Sequence, residues 1–172
     1  PNLEVDQIRE PYTESFLKNA AGKVRKNTKG RFGDSEDTIY NANKNGAMPR
    51  DVIRIPALAG GAGRSERWFY CRDCKGPTRP PKDLSKHLNH DILKHPTQKP
   101  MALTKKLILS RINKKIKGNL LVPFVGSGSE CVLASIMKIP YLGFEINPEY
   151  VRFARSWINS NDKSFSKSNK KY

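Results

Sequence analysis

The clearest pattern of hydrophobic and polar positions lies between Leu120 and Glu145. The apolar run Leu120–Val122 predicts a short buried strand, which a glycine turn then ends. Cys131–Met137 is apolar enough for a buried helix, and Tyr141–Phe144 predicts a second strand. The pattern therefore predicts a strand–turn–helix–strand unit of the α/β class, with Glu145 at the carboxyl end of its second strand.

Two amphipathic helices are predicted beside this unit. Met101–Ile112 has leucine and isoleucine on one face and lysine and arginine on the other, and Pro100 suits the start of a helix. A second helix begins after Asn147, a residue type that caps helices well. Residues 160–172 are polar and basic, which predicts a disordered tail.

The amino-terminal third of the chain is less regular. Lys18–Arg31 and Gly33–Arg50 are rich in turn-forming residues and are expected to form exposed loops. Asp51–Pro56 alternates like a half-buried strand that its proline ends. We therefore expect residues 1–66 to be loop-rich, with one strand near 51–56.

The composition of the chain predicts a binding partner. The 172-residue chain has 32 Lys and Arg against 16 Asp and Glu, a formal net charge of +16, which favours a polyanion such as nucleic acid. Lys18–Arg31 contains no acidic residue, so its basic side chains are candidates for contacts with DNA phosphates. These candidates are Lys23, Arg25, Lys26, Lys29 and Arg31. A disordered basic linker, or solvated basic faces, would have the same composition.

Cysteine usage and hydropathy restrict the compartment. Three cysteines are an odd number, which argues against a secreted disulfide framework and for a reducing compartment. The sequence has no apolar run of about 18 residues, so no membrane span is predicted. The expectation is a cytoplasmic protein without a membrane partner.

Residues 67–94 carry a second group of reactive side chains. The spacing Cys71-x2-Cys74-x12-His87-x2-His90 is close to that of two-cysteine, two-histidine zinc sites, with a final gap one residue short. A bound Zn²⁺ ion would explain how a segment with little core of its own folds. The alternative is a pair of reduced thiols without metal.

The glycine turn and Glu145 together indicate a site for a nucleoside cofactor. Ligands of open α/β sheets bind at the carboxyl ends of strands, and an acidic residue about 20 positions past a glycine turn can bind ribose hydroxyls. The turn reads GSGSE over 126–130, which lacks the third glycine of the dinucleotide pattern. A nicotinamide-dependent oxidoreductase is therefore disfavoured, and a packing turn without a ligand is the simpler alternative.

Three motifs in a fixed order extend this interpretation. HPTQKP at 95–100, PFVGSGS at 123–129 and GFEINPEY at 143–150 resemble the DNA amino-methyltransferases of the permuted β group. The resemblance implies part of a Rossmann-like sheet, with two parallel strands and flanking helices. It further implies that the protein uses S-adenosylmethionine to methylate adenine N6, or less commonly cytosine N4, in double-stranded DNA.

The resemblance also assigns roles within the cofactor site. Glu145 would bind the ribose, and Ile146 would lie against the adenine ring. The glycine turn would surround the methionine part of the cofactor, and the HPTQKP element would close over its carboxylate. The implied cofactor-binding residues are His95, Thr97, Lys99, Pro123, Phe124, Gly126, Ser127, Gly128, Glu145 and Ile146.

The sequence departs from the family in two places. The first strand ends Val122-Pro123-Phe124 where the family often has Asp-Pro-Phe, so the cofactor ammonium would need another partner, such as Glu130. The catalytic motif [Asp/Asn/Ser]-Pro-Pro-[Tyr/Phe/Trp] is absent, so no catalytic residue is assigned within this chain. We therefore expect the carboxyl-terminal part of a longer enzyme, or one half of a split enzyme.

These interpretations predict four regions. A basic target-recognition region at 1–66 is followed by a zinc-finger-like insertion at 67–94, a cofactor-binding half-domain at 95–159 and the tail at 160–172. The expected partners are double-stranded DNA, the missing catalytic half and a companion restriction nuclease. The alternative is a non-catalytic nucleic-acid-binding module with a structural zinc site.

Overall fold

The computed structural model describes residues 3–27, 36–58, 66–79, 84–112 and 118–168, with side chains described up to residue 161. The chain divides into two compact units. The first comprises Pro1–Val52 with Leu109–Arg111, and the second comprises Ile53–Ile108 with Ile112–Tyr172. The three motifs at 95–100, 123–129 and 143–150 all fall in the second unit. The finer division into four regions stays a prediction.

The first unit is built from short elements. It contains a 3₁₀ helix (Val5–Gln7), helix α1 (Glu14–Asn19) and the antiparallel strands β1 (Val24–Arg25) and β2 (Thr38–Ile39). The Thr13 hydroxyl caps α1 by accepting the Phe16 N–H at 3.2 Å, and Tyr12 stacks on Phe16 with ring centroids 4.7 Å apart. None of the described residues in this unit is buried. Polar and aromatic contacts, rather than a core, therefore hold its described part together.

Two expectations for this stretch of the chain are wrong. The segments at 18–31 and 33–50, expected to be loops, each contribute a two-residue strand. Asp51–Pro56, expected to be a strand, lies within the described residues and forms none, and Val52 is 60% exposed. A strand requires a hydrogen-bonding neighbour, and a proline nitrogen cannot donate to one.

An antiparallel sheet of three strands forms one part of the second unit. Its strands are β3 (Phe69–Cys71), β4 (Gly76–Thr78) and β5 (Ile92–Leu93), in the spatial order β4–β3–β5. A 3₁₀ helix (Leu84–His87) lies between β4 and β5 in the chain. All three residues of β3 are buried, which identifies it as the strand that carries this sheet's packing.

A parallel pair of strands forms the other part of the second unit. The elements are α2 (Met101–Leu109), β6 (Leu120–Val122), α3 (Ser129–Ile136), β7 (Tyr141–Gly143) and α4 (Pro148–Ser168). β6 and β7 pair in parallel, with α3 between them in the chain. The predicted strand–turn–helix–strand unit and the mixed α/β class are therefore confirmed.

Two apolar clusters form the core of the second unit. The first contains Tyr70, Val132, Phe153 and Trp157, and the second contains Val122, Val125, Cys131 and Ala154. Helix α4 contributes to both clusters and so joins the antiparallel sheet to the parallel pair. Both parts of this unit therefore hold α4 in position.

Helix α4 begins where the sequence predicted and ends later. The Asn147 side chain accepts the Glu149 N–H at 2.9 Å, which confirms the predicted cap. The helix continues to Ser168, so the expectation of a disordered tail is wrong for 160–168, and residues 169–172 lie outside the described part. No glycine or proline interrupts residues 149–168, and the Ser160 hydroxyl bonds the Trp157 carbonyl at 2.8 Å.

The parallel pair exposes apolar side chains on one face. Leu121 and Leu142 are cross-strand partners, and they are 60% and 56% exposed. Phe144 and Ile146, which follow β7, are also exposed. Among the described residues, no helix is both long and apolar enough to cross a bilayer.

Candidate functional site

A pocket of about 290 Å³ is formed by residues that follow β6 and β7, together with the HPTQKP element. The carboxyl ends of parallel strands are where open α/β sheets bind their ligands. All of its lining residues belong to the second unit. They are His95, Thr97, Lys99, Phe124, Val125, Gly126, Ser127, Ser129, Glu130 and Glu145.

The backbone fixes Glu145 in this pocket. Its Oε2 accepts the Gly126 N–H at 2.7 Å, and its Oε1 accepts the Asn147 N–H at 2.8 Å. Burial would raise the pKa of this carboxyl, but the N–H groups of Asn147, Gly126 and Ile146 outweigh burial and hold the pKa below its ordinary value. Glu145 is therefore an ionised acceptor at neutral pH, and its carboxylate, with about four acceptor positions, keeps capacity for a ligand beyond these N–H groups.

Gly126 allows His95 to form one wall of the pocket. Gly126 has a φ of +56°, and a Cβ at this position would lie 2.6 Å from His95 Nε2. The His95 ring meets the Tyr150 ring nearly edge to face, with centroids 4.6 Å apart. Burial lowers the pKa of His95, so its ring is neutral at pH 7, and its Nδ1 is buried without a hydrogen-bond partner among the described residues. Such an atom in a pocket wall is a candidate ligand contact.

The HPTQKP element is held against the start of β3. Arg67 Nη2 donates to the His95 carbonyl at 2.6 Å, and Gln98 Oε1 accepts the Trp68 N–H at 2.8 Å. Neither supporting residue was among the predicted site residues. Gln98 stands inside a recognised motif, which was a usable signal, whereas nothing in the sequence marks Arg67 as its neighbour.

Lys99 and Glu130 bring opposite charges together on the pocket wall. Lys99 Nζ lies 2.6 Å from Glu130 Oε1, and the two side chains are 51% and 18% exposed. Glu130 lies in the first turn of α3, where the helix dipole favours a carboxylate. The pair therefore places an ammonium and a carboxylate side by side on the pocket wall.

Most of the residues predicted to bind the cofactor line this pocket, but Pro123, Gly128 and Ile146 do not. Gly128 packs against α4 instead, where a Cβ would lie 2.8 Å from Ala154 Cβ, and Ile146 is 98% exposed. Ser129, which the sequence did not single out, has a buried hydroxyl without a hydrogen-bond partner among the described residues. The individual roles assigned to these residues stay predictions.

The candidate DNA-binding residues lie in the first unit or outside the described residues. Lys23, Arg25 and Lys26 are exposed at and beside β1, and the Arg25 guanidinium lies 5.9 Å from the centre of the Tyr40 ring. Lys29 and Arg31 fall outside the described residues, so their side chains have no described positions. Exposure is compatible with contacts to phosphates, and that role remains a prediction.

The four candidate metal ligands converge within the second unit. The donor atoms of Cys71, Cys74, His87 and His90 all lie within 4.8 Å of one another. No second group of three or more candidate ligands occurs in the described part of the chain. The third cysteine, Cys131, belongs to the apolar core instead. The structure therefore brings the four predicted ligand residues together, and their role in binding a metal ion stays a prediction.

Comparison with known proteins agrees with the three motifs. A family model described as DNA methylase matches residues 4–156. Type II methyltransferase M2.DpnII of Streptococcus pneumoniae is 35% identical over 136 residues, which cover 77% of this chain and 46% of that protein. Type II methyltransferase M.HpaI of Haemophilus parainfluenzae is 34% identical over 80 residues, 46% of this chain and 24% of its own length.

A third relative matches a shorter stretch of the chain. DNA adenine methyltransferase YhdJ of Escherichia coli (strain K12) is 37% identical over 68 residues, which cover 39% of this chain and 22% of that protein. The chain thus spans half or less of the length of these relatives. No solved structure matches it. Because the family model covers most of its length, the chain belongs to the DNA methylase family of N6-adenine and N4-cytosine methyltransferases.

Proposed function

We propose that this chain is the cofactor-binding and DNA-contacting portion of a DNA methyltransferase. The enzyme would move a methyl group from S-adenosylmethionine to an exocyclic amine of a DNA base. One observation carries the proposal: Glu145, at the end of β7, is held as an ionised acceptor in a pocket that is lined by all three family motifs. In this view, β6 and β7 are two strands of a Rossmann-like sheet, and α3 is the helix that connects them.

The charges of the pocket suit this cofactor. S-adenosylmethionine supplies an electrophilic methyl group on a sulfonium ion, and it carries ribose hydroxyls, an ammonium and a carboxylate. Glu145 would accept a hydrogen bond from a ribose hydroxyl, since its carboxylate keeps acceptor capacity beyond its backbone contacts. Lys99 would hold the carboxylate, and Glu130 would hold the ammonium in place of the aspartate that this chain lacks before Pro123.

The polar and apolar atoms of the wall support the same ligand. The Ser129 hydroxyl and His95 Nδ1 are buried groups that a polar ligand could satisfy. A neutral His95 suits the neighbourhood of a sulfonium, because it adds no repelling positive charge. Phe124 lines the pocket and is 84% exposed, so it offers an apolar surface. The residues present therefore fit the cofactor.

The proposed substrate is double-stranded DNA, with adenine N6 favoured over cytosine N4. One relative is named as a DNA adenine methyltransferase and two others as type II methyltransferases, which supports a role in restriction–modification beside a companion nuclease. Lys23, Arg25 and Lys26 would contact phosphates. The target base would have to leave the helical stack to reach the pocket.

The residues that grip the target amine would come from sequence other than these 172 residues. The sequence contains no [Asp/Asn/Ser]-Pro-Pro-[Tyr/Phe/Trp] motif, and it covers 46% of the longest-matching relative described above. The catalytic groups would thus be supplied by another part of the same polypeptide or by a second polypeptide. The contribution of this chain would be to bind and orient the methyl donor.

The rival function is a non-catalytic nucleic-acid-binding module. That module would bind DNA in a salt-sensitive way and would be indifferent to S-adenosylmethionine. The Lys99–Glu130 pair and the hydrogen-bonded Glu145 favour the methyltransferase instead, because a purely structural glycine turn has no need of three charged groups around one pocket. Titration with the cofactor separates the two functions.

The decisive experiment titrates the chain with S-adenosylmethionine by calorimetry. Glu145→Ala removes a charged hydrogen-bond acceptor, so we expect an affinity loss of about 10- to 100-fold. Asp51→Ala, which removes an exposed carboxylate outside the pocket lining, should leave the affinity unchanged. Lys99→Ala is a second variant. Because the Lys99 side chain is half exposed, its removal should leave the fold intact.

Circular dichroism of each variant establishes that it is folded. Equal affinities for wild type, Glu145→Ala and Lys99→Ala would contradict the cofactor site. A folded wild-type chain that binds DNA but binds no cofactor, alone or with the remaining part of the enzyme added, would favour the non-catalytic module.

A further inference from the structure

We propose that Cys71, Cys74, His87 and His90 bind one structural Zn²⁺ ion. Tetrahedral zinc with bonds of about 2.3 Å to sulfur and about 2.0 Å to nitrogen requires ligand-to-ligand distances of roughly 3.3–3.8 Å. Cys71 Sγ lies 3.3 Å from His90 Nδ1, and Cys74 Sγ lies 3.5 Å and 3.3 Å from the Nδ1 atoms of His87 and His90. The two Nδ1 atoms are 3.1 Å apart, slightly closer than this range. Two thiols and two imidazoles at this spacing suit zinc rather than calcium or magnesium.

The backbone, and not chance contact between loops, brings the two cysteines together. Cys71 ends β3 opposite Gly76 of β4, so the intervening turn returns Cys74 to its neighbourhood. The Cys74 N–H donates to Cys71 Sγ at 3.4 Å, which closes the turn and holds the two sulfur-bearing residues side by side. Lys75 completes the turn with a φ of +51°, a left-handed conformation that non-glycine residues adopt only where the surroundings impose it.

Strand pairing brings the histidines to the same place. Cys71 also lies opposite Ile92 of β5, which is two residues after His90. Across this pairing the Arg72 N–H donates to the Asp91 carbonyl at 2.9 Å. His87 ends the 3₁₀ helix that precedes His90, and the His90 N–H returns to the His87 carbonyl at 3.0 Å. Both imidazoles are thereby presented to the cysteine turn.

The segment around the histidines has little apolar packing of its own. Leu88, between the two histidines, is 83% exposed, and Cys74 is exposed as well. Apolar burial therefore contributes little to this segment, although the neighbouring strand β3 is fully buried. A metal ion bound by all four side chains would supply the missing cohesion, as it does in small zinc-dependent folds.

Arg72 connects this cluster to helix α4. Arg72 donates two hydrogen bonds of 2.7 Å to Glu149 and two of 2.7 Å to Asp91. Asp91 follows the ligand His90, and Glu149 lies in the first turn of α4, shortly after Glu145. Zinc would thus fix the position of Arg72 and, through it, the start of α4. This second step rests on the proposed function, and it predicts tighter binding of S-adenosylmethionine by the zinc-loaded chain.

The test reads bound metal rather than methyl transfer. The chain, purified under reducing conditions from zinc-supplemented medium, should contain one Zn²⁺ per molecule by elemental analysis. Exchange with Co²⁺ should give the visible absorption of a tetrahedral, thiolate-bound ion. Cys74→Ser should abolish both signals, whereas Cys131→Ala, which removes a thiol from the core, should retain them.

A second measurement protects the test against a variant that fails to fold. Chelation of the wild-type chain should release one Zn²⁺ and lower its Tm, and restoring zinc should reverse both changes. A folded wild-type chain that takes up no zinc, or a Cys74→Ser variant that keeps its zinc, overturns the site. A chain that binds zinc but no S-adenosylmethionine, alone or with the remaining part of the enzyme added, upholds the metal site while refuting the proposed function, so the two failures are distinguishable.

Discussion

The pocket and the Cys/His cluster, both in the second unit, differ in whether their charged and polar side chains find hydrogen-bond or ion-pair partners within the protein. In the pocket, backbone N–H groups bond Glu145, and Lys99 pairs with Glu130. In the cluster, four lone-pair donors face one another, an arrangement that a cation stabilises. In the proposed roles, the pocket would be shaped before its ligand binds, whereas the cluster would depend on its ion. Pocket variants should therefore change affinity first, and cluster variants should change the fold first.

Among the variants that test this comparison, we expect Gly126→Ala to have the largest effect. The new methyl group would meet His95 and would force a left-handed conformation that costs an L-residue about 1–2 kcal/mol, so we expect roughly a tenfold or greater loss of S-adenosylmethionine affinity. Calorimetric titration measures the loss. Gly118→Ala is the matched control, because a Cβ there meets nothing within 4 Å. Equal affinities for the two variants would show that the pocket is not shaped in advance.

A smaller effect is expected from the pH dependence of His95. Burial holds its folded-state pKa below the unfolded value of about 6.5, so the unfolded chain takes up the proton first as pH falls. Its contribution to stability is therefore complete above about pH 6.5 and decreases toward acid. Glu145 adds nothing in this window, because its pKa lies below the ordinary carboxyl value.

The measurement compares Tm at about pH 7.5 and about pH 5.5 for wild type and His95→Gln. The wild-type Tm should fall more steeply toward acid than that of the variant. Both proteins keep the Cys/His cluster, so protonation of its histidines cancels in the comparison. Identical slopes would mean that His95 is not held neutral by the pocket.

The smallest effect should come from Arg72→Gln, which cuts the connection between the two sites. Partly exposed ion pairs contribute little, so we expect S-adenosylmethionine affinity to fall by less than about threefold while zinc content stays at one ion per chain. Arg54→Gln removes an exposed arginine from the same unit and serves as the control. Loss of zinc in the Arg72 variant would make the arginine part of the metal site instead of a connection.

Local signals in the sequence were sufficient for the parallel pair and its turn. Paired glycines, short apolar runs and a capping Asn147 act within a few residues of one another, so their structural consequences can be read from the sequence. The Cys/His cluster could also be predicted from the sequence, because the spacing of the ligands restricts how the loops between them close. These features account for most of the candidate site.

Interactions between distant residues could not be predicted in the same way. The pairing of Cys71 with Ile92 and the hydrogen bonds from Arg72 to Glu149 join segments far apart in the chain. Conversely, Asp51–Pro56 has the alternation of a strand and forms none, because alternation does not supply a neighbour to bond. Sequence patterns thus indicate what a segment can do, and the fold decides which segments meet.

The exposed leucine pair of the parallel strands has a practical consequence. Parallel sheets are normally covered on both faces, yet Leu121 and Leu142 lie opposite each other and are both more than half exposed. Adjacent apolar side chains on strands are sites of self-association and aggregation. We therefore expect colloidal behaviour, rather than affinity, to limit the concentrations at which this chain can be handled.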